Sequence, residues 1–147
     1  MKFVIRRPEL SDTSGLFRLI REHAAFEKSV ASLTEIDLGL LQRRRDAIRF
    51  LVAAEEQTLL GYAAETFDWS VWRAKRYAHL DCLFVSAVHR SEGIGRQLLA
   101  EAKTVAVLEG ADWMEWQTRV WNEQAIRFFQ REGASSQDKS RFVMTLT

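Results

Sequence analysis

One proline and one cysteine in 147 residues leave several architectures out of reach. The lone cysteine, Cys82, excludes an intramolecular disulfide and a structural zinc site made of several cysteines. The lone proline, Pro8, comes with no low-complexity stretch, no internal repeat and no linker-like composition. Residues 1–147 therefore read as a single compact domain, long enough to bury a real core. An excess of one charge is missing too: 21 Lys and Arg against 20 Asp and Glu give a net charge of +1. That balance provides no global drive toward nucleic acid or a membrane, and neither is an expected partner. The first residues, MKFVIRRPELSD, contain no long apolar run, so neither a signal peptide nor a spanning helix is expected. A reducing, cytoplasmic setting is the simplest reading. No G-x-x-x-x-G-K-[ST] run exists, which excludes a Walker loop. The residue three past Gly95 is Leu98, so a dinucleotide fingerprint lacks its third glycine.

What is present alternates in period. Residues 2–6 read as a strand that stops before Pro8. Ser11 or Asp12 can cap a helix with the apolar stripe Leu16, Leu19, Ile20, His23 and Phe26 or Glu27. Thr34 and Asp37 have capping-box spacing before Ile36, Leu38, Leu40 and Leu41, a run that ends in Arg43, Arg44 and Arg45. Two β-like runs flank Glu55–Thr58 and suggest a hairpin. Residues 76–85 form a third strand of the same character. Residues 93–108 are helical, with Ile94, Leu98, Ala102 and Val105 on one face and Gly110 as the stop. Residues 112–119 read as a strand and residues 123–132 as a helix between Asn122 and Gly133. Residues 142–146 read as a closing strand. The order β-α-α-β-β-β-α-β-α-β describes an α/β fold with helices packed on a mixed sheet.

The chemistry gathers around VHRSEGIGRQLLAEA. Backbone N–H groups in the first turn of a helix have no intrahelical acceptor, and the helix dipole adds positive character there. Glycines at 93 and 95 let that backbone approach an oxygen closely, so a pyrophosphate could accept several N–H bonds at once. Arg90 and Arg96 can add charge-assisted contacts. When it stands alone, G-x-G is a weak signal that an ordinary helix start explains better.

It does not stand alone. Arg90-Ser91-Glu92-Gly93-Ile94-Gly95 is R-x-x-G-x-G, preceded by LDCLFV and followed, some way on, by WNEQAIRFFQREGA. This pairing resembles the GNAT superfamily of acyl-CoA-dependent N-acyltransferases. Further pieces, KFVIRRPELSD, LFRLIREHAAFEK and FDWSVW, are most similar to its diamine (spermidine/spermine) acetyltransferase group. The resemblance implies a mostly antiparallel GNAT-like central sheet flanked by helices, acetyl-CoA as cosubstrate and a small primary amine as acceptor. It implies direct transfer in a ternary complex. It places the pyrophosphate on the loop Arg90, Ser91, Glu92, Gly93, Ile94, Gly95 and Arg96. The pantetheine arm would lie along Leu83, Phe84 and Val85, with Asn122 as a further cofactor contact. Asp81 matches a glutamate of the group's L-E-D segment and can take the amine proton. A structural carboxylate paired with Arg76 or His79 is the alternative. Cys82, by strand alternation, points away from Asp81 and reads as core.

Glu27, Asp68 and Trp72 are candidate acceptor contacts. Carboxylates partner ammonium groups, and a tryptophan face attracts a cation. Trp69 and Trp72 fit a homodimer surface as well, and a homodimer is the expected assembly. No second ligand at metal-site spacing accompanies His23 or His89, so no metal is expected. One departure matters. Where the group carries a tyrosine acid, this chain has Phe129, which cannot donate a proton. Tyr62, Tyr77, His79 and Cys82 are the other donors. The departure keeps open a second reading: an acyl-CoA-binding or regulatory protein on the same fold.

Overall fold

A computed structural model describes residues 2–147. The chain comprises two compact units, Met1–Gln117 and Thr118–Thr147. The first unit holds a five-stranded sheet in the order β1-β2-β3-β4-β5. Its strands are β1 (Val4–Arg6), β2 (Ile48–Glu55), β3 (Thr58–Ser70), β4 (Lys75–Val85) and β5 (Met114–Glu115). Neighbours are antiparallel except β4 and β5, which run parallel. Helices α1 (Thr13–Phe26) and α2 (Glu35–Gln42) precede β2, and α3 (Ile94–Leu108) links β4 to β5. The second unit contains α4 (Glu123–Arg131). Mixed strands and helices in this order match the expected α/β class.

Both faces of the central strands are covered, so their sequences run apolar instead of alternating. Phe50, Val52 and Ala54 of β2 join Leu16 and Leu19 of α1 and Leu38 of α2 in one buried cluster. The residues between them, Leu51 and Ala53, are buried as well. Helix α3 packs on β3 and β4 and buries Ile94, Leu98, Leu99, Ala102 and Ala106.

Local signals set most boundaries. The Thr34 hydroxyl accepts from the Asp37 N–H at 3.1 Å, and the Asp37 carboxylate accepts from the Thr34 N–H at 2.9 Å. This is the capping box that the spacing implies. The hairpin turns at Glu56 and Gln57, with Glu56 at φ 55°. Asp12 caps differently than expected. Its carboxylate accepts from Arg6 at 2.7 and 3.1 Å and from the Glu9 N–H at 2.7 Å. It thus closes a short 3-10 turn, Leu10–Asp12, and the α-helix begins one residue later.

Two strand expectations are corrected. Residues 112–119 form only the two-residue β5, because its ladder with β4 lasts for two rungs, Ala78 with Met114 and His79 with Glu115. Residues 142–146 form no strand. A strand has no internal hydrogen bonds and needs a ladder partner. Phe142 is 92% exposed, and Val143, Met144 and Leu146 are exposed with it.

The sheet carries one buried acid. Glu65 on β3 is 1% exposed and opposes Arg49 on β2. The Arg49 guanidinium is bonded to Glu109 and its Nε donates to the Arg45 carbonyl, while Glu65 Oε1 has no partner. Burial pushes the Glu65 carboxyl from 4.5 up to about 8, Arg49 opposing the shift and Glu109 adding to it. Between those values the folded chain holds a proton that the unfolded chain has released, so stability falls as pH rises. Chemical denaturation at pH 5 and pH 8 should show this decline. Glu65→Gln should flatten it and be the more stable protein at pH 8.

Candidate functional site

The site begins with a register break. Ala64 of β3 opposes Cys82, but the next residue, Glu65, opposes Leu80. Asp81 is therefore the extra residue of a β-bulge in β4, and alternation fails there. The expectation that Cys82 points away from Asp81 is overturned: Cys82 Sγ lies 3.6 Å from Asp81 Oδ2. The thiol still packs against the buried cluster, as expected of a core residue. Asp81 itself is exposed on the strand, with His79 Nδ1 4.0 Å from its Oδ1.

From Asp81 a chain of polar side chains runs inward. Cys82 and Tyr62 of β3 are close enough to act on each other electrostatically. The Tyr62 hydroxyl is 2.7 Å from His23 Nδ1, and His23 Nε2 is 3.0 Å from Glu27 Oε2. The ring of His23 stacks on Phe84 at 4.9 Å. Burial lowers the His23 pKa and outweighs Glu27 and Asp81, which act the other way. A neutral imidazole fits its partners: Nε2–H donates to the Glu27 carboxylate, and Nδ1 accepts the Tyr62 O–H. Burial also pushes the Cys82 thiol up to about 12, so the sulfur stays protonated and is no nucleophile. Two carboxylates, Asp81 and Glu27, thus end one seam that ties α1 to β3 and β4.

The glycine loop adjoins this seam. Arg90 Nε donates to the Val85 carbonyl at 3.1 Å, and its guanidinium lies over Phe26 at 4.5 Å and Phe84 at 5.5 Å. Ser91 and Gly93 take positive φ, 68° and 82°. Gly93 is the N-cap of α3, and the first helical bond is Gln97 N–H to the Gly93 carbonyl at 3.1 Å. The N–H groups of Ile94, Gly95 and Arg96 precede that bond, so the helix itself gives them no acceptor. Open space surrounds Gly93 where a Cβ would project. Glu92 instead faces His89 at 3.6 Å. A third glycine, Gly61, is required by packing: an added Cβ would sit 2.7 Å from the Phe84 carbonyl oxygen.

The fold brings together Asp81, Leu83, Phe84, Val85 and the loop from Arg90 to Arg96. Beyond the His79–Glu115 rung, the outer edge of β4 has no strand partner among the described residues. Phe84 is buried against His23, whereas Leu83 and Val85 are half-buried. Glu27, at the end of α1, joins Asp81 through the seam. Asp68 and Trp72 are not brought there. Asp68 opposes Tyr77, four positions before Asp81, or roughly 13 Å along a strand. Trp72 is 99% exposed in the β3–β4 turn. Asn122 belongs to the second unit, where its side chain accepts from the Ala125 N–H at 3.2 Å and caps α4.

Sequence reasoning missed His23 and Tyr62 as one pair. The i, i+4 spacing of His23 and Glu27 is a readable signal, but the partner on β3 depends on register. Tyr62→Phe should leave His23 Nδ1 buried without its donor. Thermal or denaturant unfolding should show a loss of about 1–3 kcal/mol, with little change in the far-UV spectrum.

Comparison with known proteins gives a family and a fold. The profile of the "Acetyltransferase (GNAT) family" matches residues 15–134. Thialysine N-epsilon-acetyltransferase of Bos taurus is 26% identical over 146 residues, an alignment covering 91% of this chain and 85% of that protein. Spermidine/spermine N(1)-acetyltransferase-like protein 1 of Homo sapiens is 25% identical over 142 residues, covering 90% of this chain and 20% of that longer protein. Among solved structures, the aminoglycoside acetyltransferase meta-AAC0020 from an uncultured soil metagenomic sample, in complex with sisomicin, superposes with a TM-score of 0.83. It is 20% identical, covering 99% of this chain and 97% of that one, a likeness of fold.

Proposed function

Because the chain belongs to the acetyltransferase (GNAT) family, we propose that it transfers an acetyl group from acetyl-CoA to a primary amine of a small molecule. The observation that carries this reading is Asp81: an exposed carboxylate at a bulge, two residues past the point where β4 and β5 part. The glycine loop fits the cosubstrate. Its left-handed Ser91 and Gly93 turn the chain into α3 and leave open space before the first N–H groups of the helix. Those N–H groups would hold the pyrophosphate, with Arg90 and Arg96 nearby in sequence. The outer edge of β4 over Leu83, Phe84 and Val85 would pair with the pantetheine arm as an added strand does. A backbone N–H at Leu83 or Val85 would polarise the carbonyl. Acetyl-CoA supplies the activated acetyl group.

The acceptor reading rests on the two carboxylates. Asp81 takes the proton of an ammonium group, directly or through water, and leaves a nitrogen lone pair free to attack. Glu27 ends the same seam and offers a second negative charge. A diamine, a polyamine or an amino-acid-like amine suits this pair. The thialysine and spermidine/spermine names of the relatives point the same way. The lone protonated thiol suits a cytoplasmic setting, and exposed Trp69 and Trp72 suit a homodimer surface. Phe129 in α4, with no hydroxyl, favours a second reading: an acyl-CoA-binding or regulatory protein with weak transfer or none.

A panel of diamines, polyamines, thialysine-like amino acids and aminoglycosides, assayed for CoA release, separates the two. Asp81→Asn should lower turnover by about 10²-fold or more and remove the acidic limb of its pH profile, with acetyl-CoA affinity little changed. Gly93→Val adds a branched side chain at positive φ, in the space before the helix start. It should weaken acetyl-CoA binding strongly by calorimetry while the protein stays folded. Unchanged affinity would overturn the cradle.

A further inference from the structure

Transfer from a thioester also needs a proton for the departing sulfur, and Phe129 has none to give. We propose that His79 is the proton donor to the departing thiolate, working as a pair with Asp81; this rests on the acetyltransferase reading above. His79 forms the last rung between β4 and β5, opposite Glu115. Its ring therefore stands where the two strands part. It is one-third exposed, and its Nδ1 lies 4.0 Å from Asp81 Oδ1. That distance is too long for a direct hydrogen bond and is spanned by one water or a small side-chain rotation.

The other donors are committed elsewhere. Tyr62 is 1% exposed and its hydroxyl is bonded to His23. Cys82 holds its proton too tightly to yield it to an ordinary thiolate. Tyr77 lies two residues farther from Asp81 and stacks on Trp113 at 5.2 Å, with 11° between the rings. Asp81 on its own strand and Glu115, its register partner on β5, are charged neighbours of His79. Across β3 its partner is the neutral Thr66. Glu115 already accepts from the Trp113 indole at 2.8 Å.

The protons balance. The Asp81 carboxylate takes one proton from the ammonium, and the nitrogen lone pair forms the C–N bond. The C–S bond breaks with its electron pair on sulfur, and the His79 imidazolium gives sulfur its ring proton. The neutral imidazole regains a proton from the Asp81 carboxyl. The second ammonium proton passes to solvent, so each turnover yields acetylated amine, CoA thiol and one proton. An imidazole ordinarily titrates below a thiol, so the transfer to sulfur runs downhill.

The test uses the full chain, acetyl-CoA and the most active amine of the panel. His79→Gln should lower kcat by about 10²-fold or more and abolish the alkaline limb of the kcat–pH profile, with acetyl-CoA affinity and melting temperature unchanged. His79→Ala should regain turnover when free imidazole is added, while Asp81→Asn should not. Wild-type kcat and an intact alkaline limb in His79→Gln would overturn the proposal. So would an inactive, folded His79→Ala that imidazole leaves inactive. A wild-type protein that releases CoA with no amine would overturn the transfer reading itself, and the pair would fall with it.

Discussion

One extra residue in one strand shapes this molecule. The helices cover the middle of β3 on both faces, so every residue from Leu59 to Glu65 is buried, as are Ala78, Leu80 and Phe84 of β4. The bulge at Asp81 breaks that rule. It turns a carboxylate outward in the middle of the sheet, where an unpaired charge would otherwise carry a heavy desolvation cost. It also sets Cys82 beside Asp81, and Cys82 in turn meets Tyr62. Without the bulge, Asp81 and Tyr62 would belong to separate surroundings.

Two close approaches hold the frame around it. Gly61 lets β3 lie against the Phe84 carbonyl at the end of β4. Arg90 then ties the end of that strand through the Val85 carbonyl and lays its guanidinium on Phe26 and Phe84. The turn into α3 is thereby anchored on one side to the α1 face and on the other to the sheet. The glycine loop and the carboxylates share a scaffold of backbone bonds and ring contacts.

Much of this frame was legible in the residues. Local rules were enough for Thr34 with Asp37, for the turn at Glu56, for Gly93 before α3 and for Asn122 before α4, because each depends on neighbours within four positions. The family resemblance rested on whole segments, and residues 15–134 match the family profile. What failed depended on pairing between distant segments. A bulge has no sequence signature here, so Asp81 and Cys82 were assigned opposite faces. The length of β5 is set by where its ladder with β4 ends. The apolar alternation of residues 142–146 reads as a strand, yet a strand exists only where a partner is found. Where Asp68 and Trp72 lie relative to Asp81, along β3 and in its turn, is likewise a matter of register that the sequence does not carry.

The seam from Glu27 to Tyr62 has a consequence for how such a chain can vary. A neutral imidazole fixed by a carboxylate on one nitrogen and a phenol on the other serves two partners of opposite kind. Replace the phenol alone, and a buried acceptor is stranded. Replace the histidine alone, and a phenol and a carboxylate both lose their counterpart. Positions 23, 27 and 62 are therefore linked: substitutions accepted at one should come with substitutions at the others, although 39 residues separate the histidine from the tyrosine. Drift in this protein should pass easily through its exposed β3–β4 turn and move through the seam only in concert.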